Sequence, residues 1–383
     1  MPPLRFLLVA TSLVGLLHFY IGIRLVPDLP GVAWSHVALW ALLALSAVLQ
    51  PMGLLVRGLR SPRMRDVLGW VAMTAMGFFS SLLVFTALRD VLLLLAMALH
   101  ASGWAVFSLD ALQTDSALLV CAIAALLSVF GFLNARRLAS VVEVDVPLRN
   151  LPAALQGFRI VQISDIHVGA TIKRSYLSRI VDRVNGLEAD LIAITGDLVD
   201  GRVADLAEHT APLNKLRSRH GSFFVTGNHE YYSGAPEWIA ELGRLGVRVL
   251  MNEHVKLSHD GAALVVAGVT DYSAGTFYPE HRSDPAAASA GAPAGAPRVL
   301  LAHQPRSAEA AVKAGFDLQL SRHTHGGQFW PWNHFVPLQQ PFTAGLHRLQ
   351  DLWVYVSRGT GYWGPPKRFG APSEITCIRL VAA

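Results

Sequence analysis

The distribution of apolar residues divides the chain into two parts of different character. Up to about residue 135, long apolar runs alternate with short polar connections. A helix needs roughly 17 to 25 mostly apolar residues to cross a bilayer, and four of the runs meet that requirement. They are Leu4–Val26, Val32–Val56, Val67–Leu88 and Ser116–Leu133. The pattern therefore predicts a helical transmembrane region with about four spans over residues 1–137.

A shorter apolar run, Val91–Leu99, follows Arg89 and Asp90 and admits two interpretations. It is either a fifth span or an extension of the third helix. Loops rich in arginine stay in the cytoplasm, and four spans place the arginines of 57–65 on the same side as Arg136 and Arg137. Five spans would separate them. We therefore expect four spans, a multi-pass protein of the inner (cytoplasmic) membrane, and a cytoplasmic second half.

From about Val141 the pattern changes to short β-rich runs that alternate with amphipathic helical stretches. Such alternation predicts an α/β domain with mixed sheets, which we place at residues 157–383 after a linker at 138–156. The predicted helices are Arg174–Leu187 and Pro236–Leu245. The predicted strands are Phe158–Ser164, Asp190–Thr195, Ser222–Thr226, Val247–Leu250, Ala263–Val269, Val299–Ala302, Asp317–Leu320, Trp353–Ser357 and Ile375–Leu380.

The charge distribution argues against nucleic acid as a partner. Residues 1–137 contain nine Arg and five Asp, a net charge of +4, and the remainder contains 23 basic and 22 acidic residues, a net charge of +1. A nucleic-acid-binding domain usually carries a basic excess on its soluble part, and the second half has almost none. The two cysteines, Cys121 and Cys377, show no pairing signature.

Polar residues with metal-binding side chains follow five of the predicted strands. They are Asp165 and His167, Asp197, Asn228 and His229, His303, and His323 and His325. In α/β sheets, sites form at the carboxyl ends of strands. Each short motif alone is typical of an ordinary turn, but the whole series in this order is not expected by chance. Oxygen and nitrogen ligands without a thiolate suit two divalent ions such as Mn, Fe or Zn.

These motifs resemble the signature of the calcineurin-like metallophosphoesterase family. The resemblance extends over about residues 157–382, and the tail from Ser357 to Glu374 resembles a bacterial branch with an N-terminal membrane anchor. It implies a fold of two mixed β-sheets packed together and flanked by helices. It also implies that Asp165, His167 and His325 bind one metal ion. Asn228, His303 and His323 would bind the other. Asp197 would bridge the two ions, and His229 would be a catalytic residue beside the phosphate.

Arg322 departs from the family pattern, because a glycine usually precedes the His-x-His motif. Glycine allows a tight backbone turn at this point. Arg322 is therefore expected either to distort the site or to point outward without effect.

The implied function is a membrane-anchored hydrolase of phosphate esters. Attack by metal-bound hydroxide would cleave a phosphodiester, a phosphomonoester or a lipid-linked diphosphate. Aromatic residues after His325 would either line a lip at the bilayer interface or fold onto the domain core. They are Phe329, Trp330, Trp332, Phe335 and, in the tail, Trp363. The alternative function is a catalytically weak metal-binding sensor or scaffold on a membrane anchor. The expected partners are a phosphate ester and the lipid bilayer.

Overall fold

The computed structural model describes residues 4–55, 61–104 and 108–383. Arg57 and Arg60, two members of the first predicted arginine cluster, lie outside the described residues. The chain divides into two compact units. The helical unit comprises Met1–Leu133 and Gly364–Lys367, and the α/β unit comprises Asn134–Trp363 and Arg368–Ala383.

Four long helices make up the first part of the chain. They are α1 (Leu4–Leu25), α2 (Ala33–Leu55), α3 (Pro62–Ala101) and α4 (Leu109–Arg136). Each is long and apolar enough to cross a membrane. Large apolar side chains on their outer faces are exposed, for example Trp34, Val37 and Leu126. A contiguous apolar surface of this kind favours lipid over water as the solvent.

The apolar run Val91–Leu99 is an extension of the third helix and not a fifth span, because α3 continues through it without a break. The charged pair that precedes it is accommodated inside the helical unit. The Arg89 guanidinium forms an ion pair with Asp28 and donates to Ser116 Oγ over 2.8 Å. The Asp90 carboxylate accepts from Arg24 at 2.9 Å. Since both charges have partners within the unit, the helix can contain them without interruption.

The α/β unit contains two six-stranded sheets. The first sheet has the strand order β1-β12-β2-β3-β4-β5, and the second has the order β10-β11-β9-β8-β7-β6. The strands of the first sheet are β1 (Ser140–Leu148), β2 (Arg159–Ile163), β3 (Leu191–Ile194), β4 (Ser222–Phe224), β5 (Arg248–Val249) and β12 (Glu374–Ala382). Those of the second are β6 (Glu253–His259), β7 (Ala262–Gly268), β8 (Arg298–Leu301), β9 (Leu318–Ser321), β10 (Gly345–Leu349) and β11 (Leu352–Val356).

One hydrophobic core lies between the two sheets, and another lies between the first sheet and the helices on its outer face. Successive side chains of a strand point to opposite faces, and strand β2 shows the result. Ile160 packs into the core between the sheets, whereas Val161 and Ile163 pack against the helices on the outer face. The helices of this unit are α5 (Arg174–Asn185), α6 (Val203–Thr210), α7 (Asn228–Ser233), α8 (Ala235–Arg244), α9 (Pro285–Ser289) and α10 (Ala308–Lys313). The predicted fold of two mixed sheets flanked by helices is therefore confirmed.

The predicted linker at 138–156 contains a strand that the sequence did not reveal. Strand β1 pairs in parallel with β12 at the edge of the first sheet. Strands β6 and β10 were also not predicted, and both are antiparallel edge strands of the second sheet. Edge strands carry polar side chains on exposed faces, so their apolar pattern is weak. Pairing with a neighbour, rather than local sequence, defines them.

Candidate metal centre

The loops that follow β2, β3, β4, β8 and β9 converge at one edge of the two sheets. The four parallel strands β2 to β5 and the parallel strands β7, β8, β9 and β11 present their carboxyl ends there. All of the predicted ligand residues are buried, except His323, which is half-buried. The structure therefore brings together side chains that lie far apart in the sequence.

Asp165, His167 and His325 form the first ligand group. The Nε2 atoms of the two histidines lie 3.2 Å apart. Asp165 Oδ1 is 3.3 Å from Nε2 of His325 and 3.7 Å from Nε2 of His167. The three ligand atoms are thus close enough to share one cation.

Asp197, His303 and His323 form the core of a second ligand group. His303 Nε2 lies 3.1 Å from Asp197 Oδ2 and 3.1 Å from His323 Nδ1. The Nδ1 atom of His303 is 2.8 Å from the carbonyl oxygen of Thr195. Donation from Nδ1 to that carbonyl leaves Nε2 with a free lone pair, which is the arrangement usual for a metal-binding histidine.

Asn228, the first residue of α7, is the proposed further member of the second group. Its side-chain oxygen is buried and has no hydrogen-bond partner among the described residues. A buried polar oxygen without a partner is costly, and a bound cation would satisfy it. This observation, together with the oxygen and nitrogen donor set, fits a divalent metal ion at the second group.

The backbone at the ligand residues is held in an uncommon conformation. Five of them have a positive φ, between 50° and 77°: Asp165, His167, Asp197, His323 and His325. Residues other than glycine rarely adopt this left-handed region, and such strain is typical of functional sites. The turns direct these side chains toward the site at the expense of local backbone stability.

Two glycines allow the loops after β3 and β4 to approach closely. A Cβ atom at Gly196 would lie 2.7 Å from both the Gly227 nitrogen and Nδ1 of His303. A Cβ atom at Gly227 would overlap Asp197. A larger side chain at Gly227 would displace Asp197, and one at Gly196 would displace Gly227 and His303.

Glu230 ties the same two loops together. Its Oε2 accepts from the backbone nitrogens of Gly227, at 2.7 Å, and Asp197, at 2.9 Å, and its Oε1 accepts from Leu198 at 2.8 Å. Burial and the nearby Asp197 raise the pKa of Glu230 to about 7. Glu230 therefore positions Asp197 without being a ligand.

The electrostatic surroundings favour positive charge at two of the ligand histidines, His303 and His167. Burial lowers the pKa of His303, but Asp197 and Asp165 outweigh burial and raise that pKa to about 10. The pKa of His167 is also raised to about 10, because Asp200 and Asp165 act against burial. Carboxylates that stabilise a proton on these two imidazoles would also stabilise a metal cation in its place. Burial acts the other way at the remaining two histidines: it lowers the pKa of His323 to about 4 and, together with Arg322, holds the pKa of His325 well below its usual value.

Asp200 is a candidate functional residue that the sequence analysis missed. Its Oδ1 lies 2.5 Å from His229 Nδ1 and 3.2 Å from His167 Nδ1. One carboxylate thus orients both a proposed ligand and the proposed catalytic histidine. A signal was present in the sequence, because Asp200 is the second acid of the loop after β3, three residues beyond Asp197.

His229 lies beside the first ligand group. Its ring centroid is 4.7 Å from that of His167, and its backbone nitrogen donates to Asp197 Oδ1 over 2.8 Å. Burial opposes protonation, but Asp197 and Asp200 raise the pKa of His229 above its usual value. Asp200 therefore fixes the orientation of the imidazole ring through its Nδ1 atom. Because His229, Asp200 and His167 also lie within ligand distance of one another, its assignment as a non-ligand stays a prediction.

Arg322 points into the site and not outward. Its side chain is fully buried, and its Nη1 forms an ion pair with Asp165 Oδ1. The expectation that it points outward without effect is therefore wrong. The physical reason is the attraction of the buried Asp165 carboxylate, which has no other guanidinium partner among the described residues. Burial by itself raises the pKa of Asp165, but the charges of Arg322 and His303 hold it well below its usual range.

The aromatic segment after His325 is largely exposed. Phe329 is buried, but Trp330, Trp332 and Phe335 expose between 37% and 53% of their surface. Trp363 is 52% exposed, and its ring centroid lies 5.7 Å from that of His229. The interpretation of this segment as part of the domain core therefore applies to Phe329 alone.

Comparison with known proteins places this geometry in a family. The model of the calcineurin-like phosphoesterases matches residues 158–327. A Danio rerio protein named as a transmembrane protein with metallophosphoesterase domain is 35% identical over 396 residues, covering 99% of this chain and 90% of that protein. A Bos taurus protein of the same name is 41% identical over 333 residues, covering 82% of this chain and 74% of that protein.

An uncharacterized metallophosphoesterase of Helicobacter pylori is 37% identical over 253 residues, which cover 66% of each chain. The similarity to the first two relatives thus includes the helical part, whereas the third matches about two thirds of the chain. The chain belongs to the calcineurin-like metallophosphoesterase family, and it is a membrane-associated, metal-dependent phosphoesterase.

Proposed function

We propose that the α/β unit is a dinuclear metal phosphoesterase. The observation that carries the proposal is the pair of ligand groups, each with a carboxylate and two imidazoles whose ligand atoms converge. Asp165, His167 and His325 would hold the first ion, and His303, His323 and Asn228 the second. Asp197 would bridge them. The donor set suits Mn, Fe or Zn.

Two bound ions would polarise the phosphoryl oxygens and lower the pKa of water toward neutrality. The side chains have complementary roles. Asp200 holds the His229 ring through Nδ1, at 2.5 Å, which leaves Nε2 to donate a proton to the leaving oxygen. Glu230 holds the backbone of Asp197, and therefore the bridging carboxylate, in place.

The substrate we favour carries an apolar group, as a phospholipid or a lipid-linked diphosphate does. Half-exposed aromatic rings surround His229: the ring centroid of Tyr232 lies 5.3 Å from it and that of Trp363 lies 5.7 Å from it. Phe277 continues this surface, with its ring 5.6 Å from that of Tyr232. Aromatic residues of this kind partition to membrane interfaces, and the chain carries its own membrane-associated helices. A soluble phosphodiester is the alternative substrate.

A metal analysis joined to a substrate screen tests the function. The full chain, purified in detergent, should contain bound Mn, Fe or Zn and should hydrolyse at least one ester from a panel of phosphomonoesters, phosphodiesters and lipid diphosphates. Replacement of both Trp332 and Phe335 by serine should lower the rate on a lipid substrate in vesicles and leave the rate on a soluble ester unchanged. Equal rates of this variant and the wild type on vesicles would exclude the lipid proposal.

A metal-binding sensor or scaffold remains the second candidate function, because the Arg322–Asp165 ion pair leaves less of the Asp165 negative charge for binding a metal ion. Full metal content with no turnover of any ester in the panel would favour it.

We also propose an inner-membrane, multi-pass protein whose α/β unit lies in the cytoplasm, on the basis of the arginine distribution. An alkaline phosphatase fusion after Ala383 should be inactive, and strong periplasmic activity would overturn this orientation.

A further inference from the structure

Arg322 occupies the atom through which Asp165 would bind a metal. Asp165 Oδ2 accepts from Ser164 Oγ over 2.7 Å. The other oxygen, Oδ1, is the one that faces the two imidazoles of the first ligand group, at 3.3 and 3.7 Å. The guanidinium of Arg322 pairs with Oδ1. The ligand oxygen of the first group therefore already has a cationic partner.

The guanidinium sits in a space shaped to receive it. Its Nη2 donates to the Arg358 carbonyl oxygen over 2.6 Å, and the Arg322 backbone nitrogen donates to the His303 carbonyl over 2.8 Å. A Cβ atom at Gly359 would overlap the guanidinium, and Gly359 has a φ of 81°. Because Arg322 is fully buried, it cannot release Asp165 by a simple rotation into solvent.

The second ligand group contains no such competitor. In the part of the chain that the structure describes, the ion pair of Asp197 is with His303 and involves no arginine or lysine. Asp200 adds negative charge to the first group through His167 Nδ1, so net charge alone does not separate the two groups. The difference is that a guanidinium pairs with a ligand atom in the first group, whereas none does so in the second group.

We infer that Arg322 is a resident cation that makes the first metal site weak, so that the chain holds one ion tightly at the second site and fills the first only at high metal concentration. The inference rests on the proposed two-metal site and adds to it a dependence on metal supply. An incoming ion must share Oδ1 with the guanidinium or displace it from a buried position, and both cost binding free energy.

Titration of Mn²⁺ into the metal-free full chain in detergent tests the inference. Calorimetry counts the ions, and electron paramagnetic resonance distinguishes an isolated Mn²⁺ from a spin-coupled pair. The wild type should bind one ion first and show the isolated signal, and coupling should develop only as further Mn²⁺ is added. Arg322→Gly and Arg322→Gln should tighten the weak site by roughly 10- to 100-fold, the usual range for changes next to a metal ligand. Arg322→Lys, which keeps the charge, should behave like the wild type.

Two further variants locate the tight site. His303→Ala should remove the tight ion, and His325→Ala should leave it in place. Two equally tight ions in the wild type would overturn the inference without any variant. So would unchanged affinities in both neutral Arg322 variants, or a lysine variant that binds like the glycine variant. If no variant binds Mn²⁺ at all, the proposed metal centre itself fails, which is a different result from two equal sites.

Discussion

The two ligand groups have nearly the same chemistry but different surroundings. Each combines an aspartate with two histidines at the carboxyl ends of parallel strands. In the first group, the aspartate oxygen that faces the imidazoles is paired with Arg322. In the second group, Asp197 pairs with His303 and with no arginine or lysine among the described residues. Identical ligand types therefore do not imply equal affinity, because the neighbours decide how much of each ligand's charge a metal ion can use.

The largest expected effect concerns Asp197, the residue proposed to join the two groups. Asp197→Asn should bring hydrolysis to the background level and remove metal from both sites, because the bridging carboxylate neutralises both cations. Metal analysis and turnover of the substrate measure this. Asp182→Asn on the exposed face of α5 is the matched control and should behave as the wild type. Near-normal metal content in the Asp197 variant would refute a shared ligand.

The next effect separates catalysis from metal binding. His229→Gln should keep both ions and the fold but lose about 10²- to 10⁴-fold in rate, the usual contribution of a general acid. The loss should be smaller for a nitrophenyl ester, whose leaving group needs little protonation. His334→Gln, at an exposed position, is the control. Loss of metal in the His229 variant would show that this histidine is a ligand after all.

An intermediate effect is expected at Asp200, which contacts His167 in the first group as well as His229. Asp200→Asn should weaken metal binding at the first site by about 10- to 100-fold, as is typical for partners of ligand histidines. It should leave the second site unchanged. The rate at saturating metal should also fall, because the His229 ring loses its charged acceptor. Equal weakening of both sites would contradict the assignment of His167 to the first group alone.

The smallest effect concerns the free energy of unfolding, and it tests whether Gly359 leaves the space that the Arg322 guanidinium occupies. Gly359→Ala should destabilise the α/β unit by about 1–3 kcal/mol, the range for a residue forced into a strained backbone conformation, with an added clash against the guanidinium. In an Arg322→Gly background the clash is absent, so the same substitution should cost less. Thermal unfolding in detergent of the two single variants and the double variant measures the difference. Additive costs would mean that Gly359 does not accommodate Arg322.

Most of the inner strands could be predicted from the sequence within one or two residues. The predicted strand Phe158–Ser164 contains β2, and Asp190–Thr195 contains β3, because both are short, continuous apolar runs bounded by polar turns. The edge strand β1 lay in a predicted linker. Its residues from Val141 to Val146 do not alternate clearly between buried and exposed positions. Its pairing partner, β12, is a segment at the other end of the chain.

The residues of the proposed metal centre could be predicted from the sequence because each lies directly after a strand, and strand ends are a local property of the chain; their role as ligands stays a prediction. The family resemblance implied their grouping around two points, whereas the sharing of Asp200 by two histidines and the direction of Arg322 were decided by the tertiary structure. Arg322 illustrates the reason. Sequence alone left open whether it pointed in or out, since the answer depends on Asp165 and Gly359, which reach it only when the loops after β2, β9 and β11 converge. The local sequence pattern determines which side chains lie at the strand ends, and tertiary packing determines which groups each of those side chains contacts.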